Sequence, residues 1–316
     1  MVNAASTAEP GAGMLMAVLM YMGCSVTMVL TNKALAMLPA WRAQELVLLP
    51  VAMQNASALL LLLVYESSGK PSLVRHVLPR LWPGQRRALN CLPCSVAFVA
   101  MILTSFFALA GVSVPFVTVG KNASNMLTAI GEWHFFGKTP SSGKALALVL
   151  MVMGAFAAAW NDLAFSLAPY MWLLLNCVAT SAYALMMRVL SVGGKDLPDR
   201  VSTLALNNAF SLVLILAVAM AKGELSPSIF RDHFWELFTP GAMLLHGLAG
   251  AVAFFLNFAT MRCVAATSAT TYAMIGAVNK LPTALIGYAL WRVPMSQDGM
   301  ICIGVGLFST LLYAMQ

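Results

Sequence analysis

Charge is what this sequence has least of. Only 9% of its 316 residues are Asp, Glu, Lys or Arg, against roughly 25% in a soluble domain. So little charge cannot cover a water-facing surface, which excludes a soluble enzyme, a disordered chain and a coiled coil together. Long basic runs are missing too. The 18 Lys and Arg behind the net charge of +7 are scattered over short loops, so the excess reads as membrane topology and not as nucleic-acid binding. The six cysteines form no disulfide framework. Most fall in apolar runs, and Cys91 and Cys94 make a lone CxxC without the second pair a zinc site needs. There is no GxSxG, HExxH or Walker sequence, and His76, His134, His233 and His246 do not cluster. The expectation is no enzyme, no metal and no cofactor. The first twelve residues lack the basic segment of a cleaved signal, so the first apolar run is expected to stay in the mature protein.

What is present is apolar sequence, 60% of the chain. A helix needs about 20 apolar residues to cross the hydrocarbon core. Such runs predict ten membrane-spanning helices, at 13–31, 46–65, two within 88–136, 145–161, 163–187, 201–221, 237–261, 267–291 and 299–313. The 88–136 stretch breaks at Gly111-Val112-Ser113-Val114-Pro115, and a short amphipathic segment precedes the eighth span. With both termini cytosolic, eleven Lys and Arg fall in cytosolic loops and five in the opposite loops, the bias expected of a multi-pass protein. Gly120, Gly131 and Gly143 recur 156 residues later as Gly276, Gly287 and Gly299. That offset is near half the chain. Five spans per half is an odd number, so the halves must be inverted, as in alternating-access transporters. The fold expected is an all-α membrane protein of ten helices in two inverted five-helix repeats, residues 13–161 and 162–316, after a cytosolic tail over 1–12. Glycines at helix crossings that merely permit close packing are the plainer reading.

Inside the spans, polar residues are expensive and therefore informative. A central charge costs at least about 2.5–3.5 kcal/mol on insertion scales. Lys121 in the fourth span and Lys280 in the ninth lie at similar depth with no acidic residue nearby in their own helices, so they call for an anion such as a diphosphate. Snorkelling or carbonyl contacts are the alternative. Tyr272, Gly276 and Lys280 follow at steps of four on one helical face, and Pro282 predicts a kink there. Asn207 and Asn208 open the seventh span. Their amides suit the edge of a purine base, or serve interhelical hydrogen bonds. Tyr21 and Asn257 are further isolated polar groups. Asn55-Ala56-Ser57 and Asn122-Ala123-Ser124 match a glycosylation sequon but fall within spans.

On these residues the chain resembles the nucleotide-sugar transporters of the drug/metabolite transporter superfamily, and most closely the Golgi GDP-mannose transporters. Thr270-Thr271-Tyr272-Ala273-Met274-Ile275-Gly276-Ala277-Val278-Asn279-Lys280 is similar to that family's GALNK motif, with Val278 for leucine. Ala205-Leu206-Asn207-Asn208 falls where the family has FYNN, with both asparagines kept and both aromatics replaced. The resemblance implies antiport of cytosolic GDP-mannose, or a related GDP-sugar such as GDP-fucose, against lumenal GMP. It places guanine recognition on Asn207 and Asn208. Contact with the sugar-phosphate part falls on Gly276, Ala277, Asn279 and Lys280, and Tyr21, Asn257 and Tyr272 take neighbouring positions. It further implies residence in the Golgi membrane among lipid, with room for a homodimer. A plastid-type sugar-phosphate translocator, or a non-transporting receptor or enzyme, are the competing readings.

Overall fold

The computed structural model describes residues 10–69, 89–109, 112, 117, 120–160, 166–192 and 200–279, together with 282, 286, 304 and 308. Among these residues the protein is all-helical. The helices are α1 (Pro10–Ala36), α2 (Pro39–Ala43), α3 (Leu48–Gly69), α4 (Leu92–Leu109), α5 (Ala123–Phe136), α6 (Ser142–Trp160), α7 (Leu167–Val192), α8 (Arg200–Ala221), α9 (Pro227–Leu237), α10 (Pro240–Ala266) and α11 (Ala269–Val278). Among the described residues, five stretches are long and apolar enough to cross a membrane: Gly13–Leu35, Leu48–Tyr65, Leu167–Val192, Val201–Ala221 and Pro240–Ala266. Leu92–Ala108, Ser142–Gly154 and Ala269–Val278 are shorter apolar helices. The outer surface is apolar, with Val213 65% and Leu244 77% exposed, as suits helices facing lipid and closed on their own backbone hydrogen bonds. The expected tenth span and the ninth beyond Asn279 lie almost wholly outside the described residues, as does the loop around Arg75 to Arg87.

Local sequence sets the helix ends. Pro39, Pro227 and Pro240 each occupy a first turn, where the missing N–H costs nothing. Thr239 and Ser268 cap α10 and α11 through side-chain oxygens. The segment expected to be amphipathic is α9, whose Leu237 is fully buried. Buried and half-buried hydroxyls satisfy themselves locally: Thr31, Thr104, Thr128 and Thr180 each donate to the carbonyl four residues back.

Two buried carboxylates join distant helices. Glu224 follows Gly223, whose φ of 80° ends α8 and lets Glu224 N–H donate to Ala219 O at 2.9 Å. The turn aims Glu224 Oε2 at the start of α3, where it accepts from the N–H groups of Val47, Leu48 and Leu49 at 3.2, 2.8 and 3.0 Å. Glu132, near the end of α5, accepts from Ala269 N at 2.8 Å, Thr270 N at 3.2 Å and Thr270 Oγ1 at 2.6 Å. Each carboxylate thus satisfies orphan N–H groups at a helix N-terminus and meets its positive dipole end.

These contacts fix the direction of the helices. The end of α8 meets the start of α3, so the two are antiparallel. Trp41 Nε1 donates to Leu237 O at 2.8 Å and its ring lies 4.4 Å from that of His246, so α2, α9 and the start of α10 share that same end of the bundle. At the opposite end Arg188 of α7 donates to Val264 O and Ala265 O of α10, beside the Glu132 contact. Cys91 and Cys94 are buried with Leu62, Met187 and Leu190 at this second end. Small residues let helices meet: a Cβ on Gly120 would overlap Leu173, on Gly131 Leu185, and on Gly250 Ser57. Asn55 and Asn122 of the two sequons are buried.

Candidate functional site

A cavity of about 400 Å³ lies among α1, α3, α4, α7, α8, α10 and α11. It meets a second space of about 550 Å³, and Asn32, Val51, Gln54 and Phe106 line both. The second space runs out past Trp41 and Glu45 to Arg42 and Lys222 at the bundle end that carries α2. We call this the mouth. At the opposite end, buried Ala184, Leu185 and Ala269 pack together, and the contacts of Glu132 and Arg188 close over them.

Five of the residues singled out from sequence line this cavity: Tyr21, Lys121, Asn208, Asn257 and Tyr272. Their positions have local causes. Asn208 Nδ2 donates to Leu204 O at 2.8 Å, one turn back on α8, and Asn208 Oδ1 accepts from Asn257 Nδ2 of α10 at 3.2 Å. The pair holds its amides in one orientation, with acceptor and donor capacity left on Asn257. The rings of Tyr21 and Tyr272 lie 4.8 Å apart at 49°. Gly276 lies beside the pair: a Cβ there would stand 3.4 Å from the Tyr21 hydroxyl oxygen, an ordinary van der Waals contact. Lys121 Nζ donates to Ser105 Oγ at 3.1 Å. Among the described residues no carboxylate lies within ion-pair reach of Lys121, so its charge faces the cavity with only a neutral acceptor.

The other predicted residues are placed differently. Asn207 does not line the cavity; its Oδ1 accepts from Ser95 Oγ of α4 at 2.9 Å, so it ties α8 to α4. Ala277 is part-buried on α11, and Asn279 is buried at its end. Lys280 lies outside the described residues. The structure also brings in polar residues that sequence reasoning did not select for binding: Ser25, Gln54, Asn55, Ser105, Tyr183 and Thr260. Only Asn55 carried a sequence signal, and it pointed to a sequon. The arrangement is chemically two-sided. Tyr21, Tyr183 and Tyr272 with the Asn208–Asn257 amides offer flat faces and an edge reader, while Lys121 offers a charge-assisted donor.

Comparison with known proteins agrees with a transporter. The profile of the Triose-phosphate Transporter family matches residues 13–314. The GDP-mannose transporter GONST2 of Arabidopsis thaliana is 31% identical over 273 residues, 83% of this chain and 68% of that protein. The GDP-mannose transporter GONST1 of the same plant is 33% identical over 232 residues, 70% of this chain and 67% of that protein. GDP-mannose transporter 1 of Emericella nidulans is 31% identical over 238 residues, 70% of this chain and 62% of that protein.

Proposed function

The chain belongs to the Triose-phosphate Transporter family, and on that footing we propose that it is a nucleotide-sugar antiporter, moving GDP-mannose or a related GDP-sugar from cytosol to Golgi lumen in exchange for GMP. The observation that carries this reading is the cavity itself, in which a lysine with no carboxylate partner among the described residues shares one space with an aromatic wall and a bonded amide pair. The names of the relatives support GDP-mannose as the substrate. A triose phosphate would need the cation but would leave the amides and tyrosines idle. On the cytosolic-termini reading the mouth faces the lumen.

Two inverted five-helix repeats, 13–161 and 162–316, are part of the proposal. Adding five to the span number exchanges the observed neighbours. α1 packs on α10 as α7 packs on α4, and α10 on α3 as α8 on α4. Gly120 meets Leu173, and Gly276, its expected equivalent, meets Tyr21, 152 residues before Leu173. Lys121, Lys280, Gly276, Ala277 and Asn279 are assigned to the phosphate and sugar, and Asn207 and Asn208 to the base. Of the last two, Asn208 touches the ligand and Asn207 holds α8 in register through Ser95.

The base assignment is tested by competition for uptake into liposomes, with GMP, UMP and triose phosphate as competitors. The wild type should prefer GMP to UMP and ignore triose phosphate. A site built to hydrogen-bond a group rejects analogues lacking it more strongly than an apolar pocket does. Asn208→Ala should therefore weaken GMP and narrow its lead over UMP. An unchanged preference would mean that guanine is read elsewhere, and strong competition by triose phosphate would support a sugar-phosphate translocator.

A further inference from the structure

The cavity holds a second amide site that mirrors the first. Gln54-Asn55-Ala56 in α3 reads like Asn207-Asn208-Ala209 in α8, 153 residues later, close to the offset that relates the glycines. The likeness extends to geometry. Asn55 Nδ2 donates to Val51 O at 2.9 Å, and Asn208 Nδ2 to Leu204 O at 2.8 Å, each four residues back on its own helix. Both asparagines line the same cavity. The helix contact uses one N–H of Asn55. Among the described residues Asn55 has no other hydrogen-bond partner, which leaves its second N–H and Oδ1 to the cavity.

The two sites stand at different depths. Because α3 and α8 are antiparallel, with Glu224 at the start of α3, positions can be counted from that shared end. Asn55 is seven residues from Leu48 and Asn208 thirteen from Ala221. At 1.5 Å per residue they are roughly 9 Å apart along the helix axes. Asn208 lies deep, bonded to Asn257 in the cavity wall that Tyr272 and Tyr183 also form. Asn55 lies toward the mouth. Its neighbour Gln54 donates to Asn32 Oδ1 at 2.6 Å. Ser105, which holds Lys121, precedes Phe106, a residue that packs in one cluster with Leu48 and Val51 at this level. The mouth half thus combines a cation with amides and a hydroxyl. Phosphate oxygens take donors, and sugar hydroxyls need both donors and acceptors, which an amide supplies.

We propose that Asn55 is a substrate-binding residue that contacts the β-phosphate and sugar end of a nucleotide sugar whose base sits at Asn208. This rests on the reading of the cavity as a nucleotide-sugar site. GMP lacks the β-phosphate and the mannose, so it does not reach Asn55. The test is displacement of labelled GMP from the purified full-length protein by unlabelled GMP and by GDP-mannose. Asn55→Ala should weaken GDP-mannose about tenfold, the effect of one lost hydrogen bond in a buried site, and leave GMP within about twofold. Retained GMP binding is the check that the variant is folded. Asn55→Ser keeps a hydroxyl that can bond Val51 O but gives up the reach into the cavity, and it should show the same split. GDP-mannose affinity unchanged in both variants, or GMP and GDP-mannose weakened equally in both, overturns the assignment. A wild type that binds neither ligand overturns the nucleotide-sugar site itself, a failure visible before any variant is made.

Discussion

Replacing Glu132 by alanine should lower stability by about 3–5 kcal/mol, the scale for breaking a buried, hydrogen-bonded charge contact. Its carboxylate is 3% exposed and accepts three bonds from Ala269 and Thr270. Alanine would leave two N–H groups at the start of α11 unsatisfied and remove the anion from the helix's positive end. Glu132→Gln keeps an acceptor and should cost less. Glu224→Ala should be comparably harmful at the opposite end, where the N–H groups of Val47 and of Leu48 and Leu49 at the start of α3 lose their acceptor. Thermal unfolding of the purified variants in detergent measures both. An unfolding midpoint for Glu132→Ala equal to that of the wild type would show that the cap is not holding α5 to α11. The consequence reaches the proposed substrate site, since α11 carries Tyr272 into the cavity.

Lys280→Ala should abolish nucleotide-sugar uptake while the protein still folds and reaches the membrane. The chain runs from Gly276 through Asn279, at the end of α11, to Lys280. Losing a hydrogen bond to a charged group costs about 1.5–3 kcal/mol, roughly a ten- to hundredfold loss of affinity. Lys121→Ala should do less, because its ammonium already has Ser105 as a partner and serves the anion mainly through its field. Uptake assayed at matched expression separates the two. Near-normal uptake by Lys280→Ala would contradict the anion-site assignment.

The spans were legible because lipid imposes one rule on every exposed face. Apolar runs alone located α1, α3, α7, α8 and α10. What periodicity cannot supply is long-range partnership. Glu132 and Ala269 are 137 residues apart, and Glu224 and Leu48 are 176 apart; nothing local in either glutamate announces a cap for another helix. Adjacent asparagines pose a similar problem. Successive helix positions differ by about 100°, so Asn207 and Asn208 cannot share a face, and only packing tells which reaches the cavity and which reaches Ser95. Asn55 was masked by its sequon, a pattern about protein surfaces that says nothing of a buried wall. Tyr21 and Tyr272 were legible as polar groups in apolar helices, but not their ring contact, which joins α1 to α11 across 251 residues of sequence.

In the proposed antiport, obligatory exchange originates in the lysines. With Lys121 and Lys280 both assigned to the anion, as proposed, an empty carrier that changes state must bury two cations with no anion present, and low dielectric strengthens their repulsion and strips their water. Bound GMP or GDP-sugar neutralises them and lowers that barrier. The direct measurement is the initial rate of labelled GDP-mannose uptake into proteoliposomes that are empty or preloaded with GMP or CMP. Preloading with GMP should accelerate uptake several-fold, and CMP should help little. Equal initial rates with empty and GMP-loaded liposomes, at matched protein content, would show a uniporter and contradict charge compensation as the source of exchange.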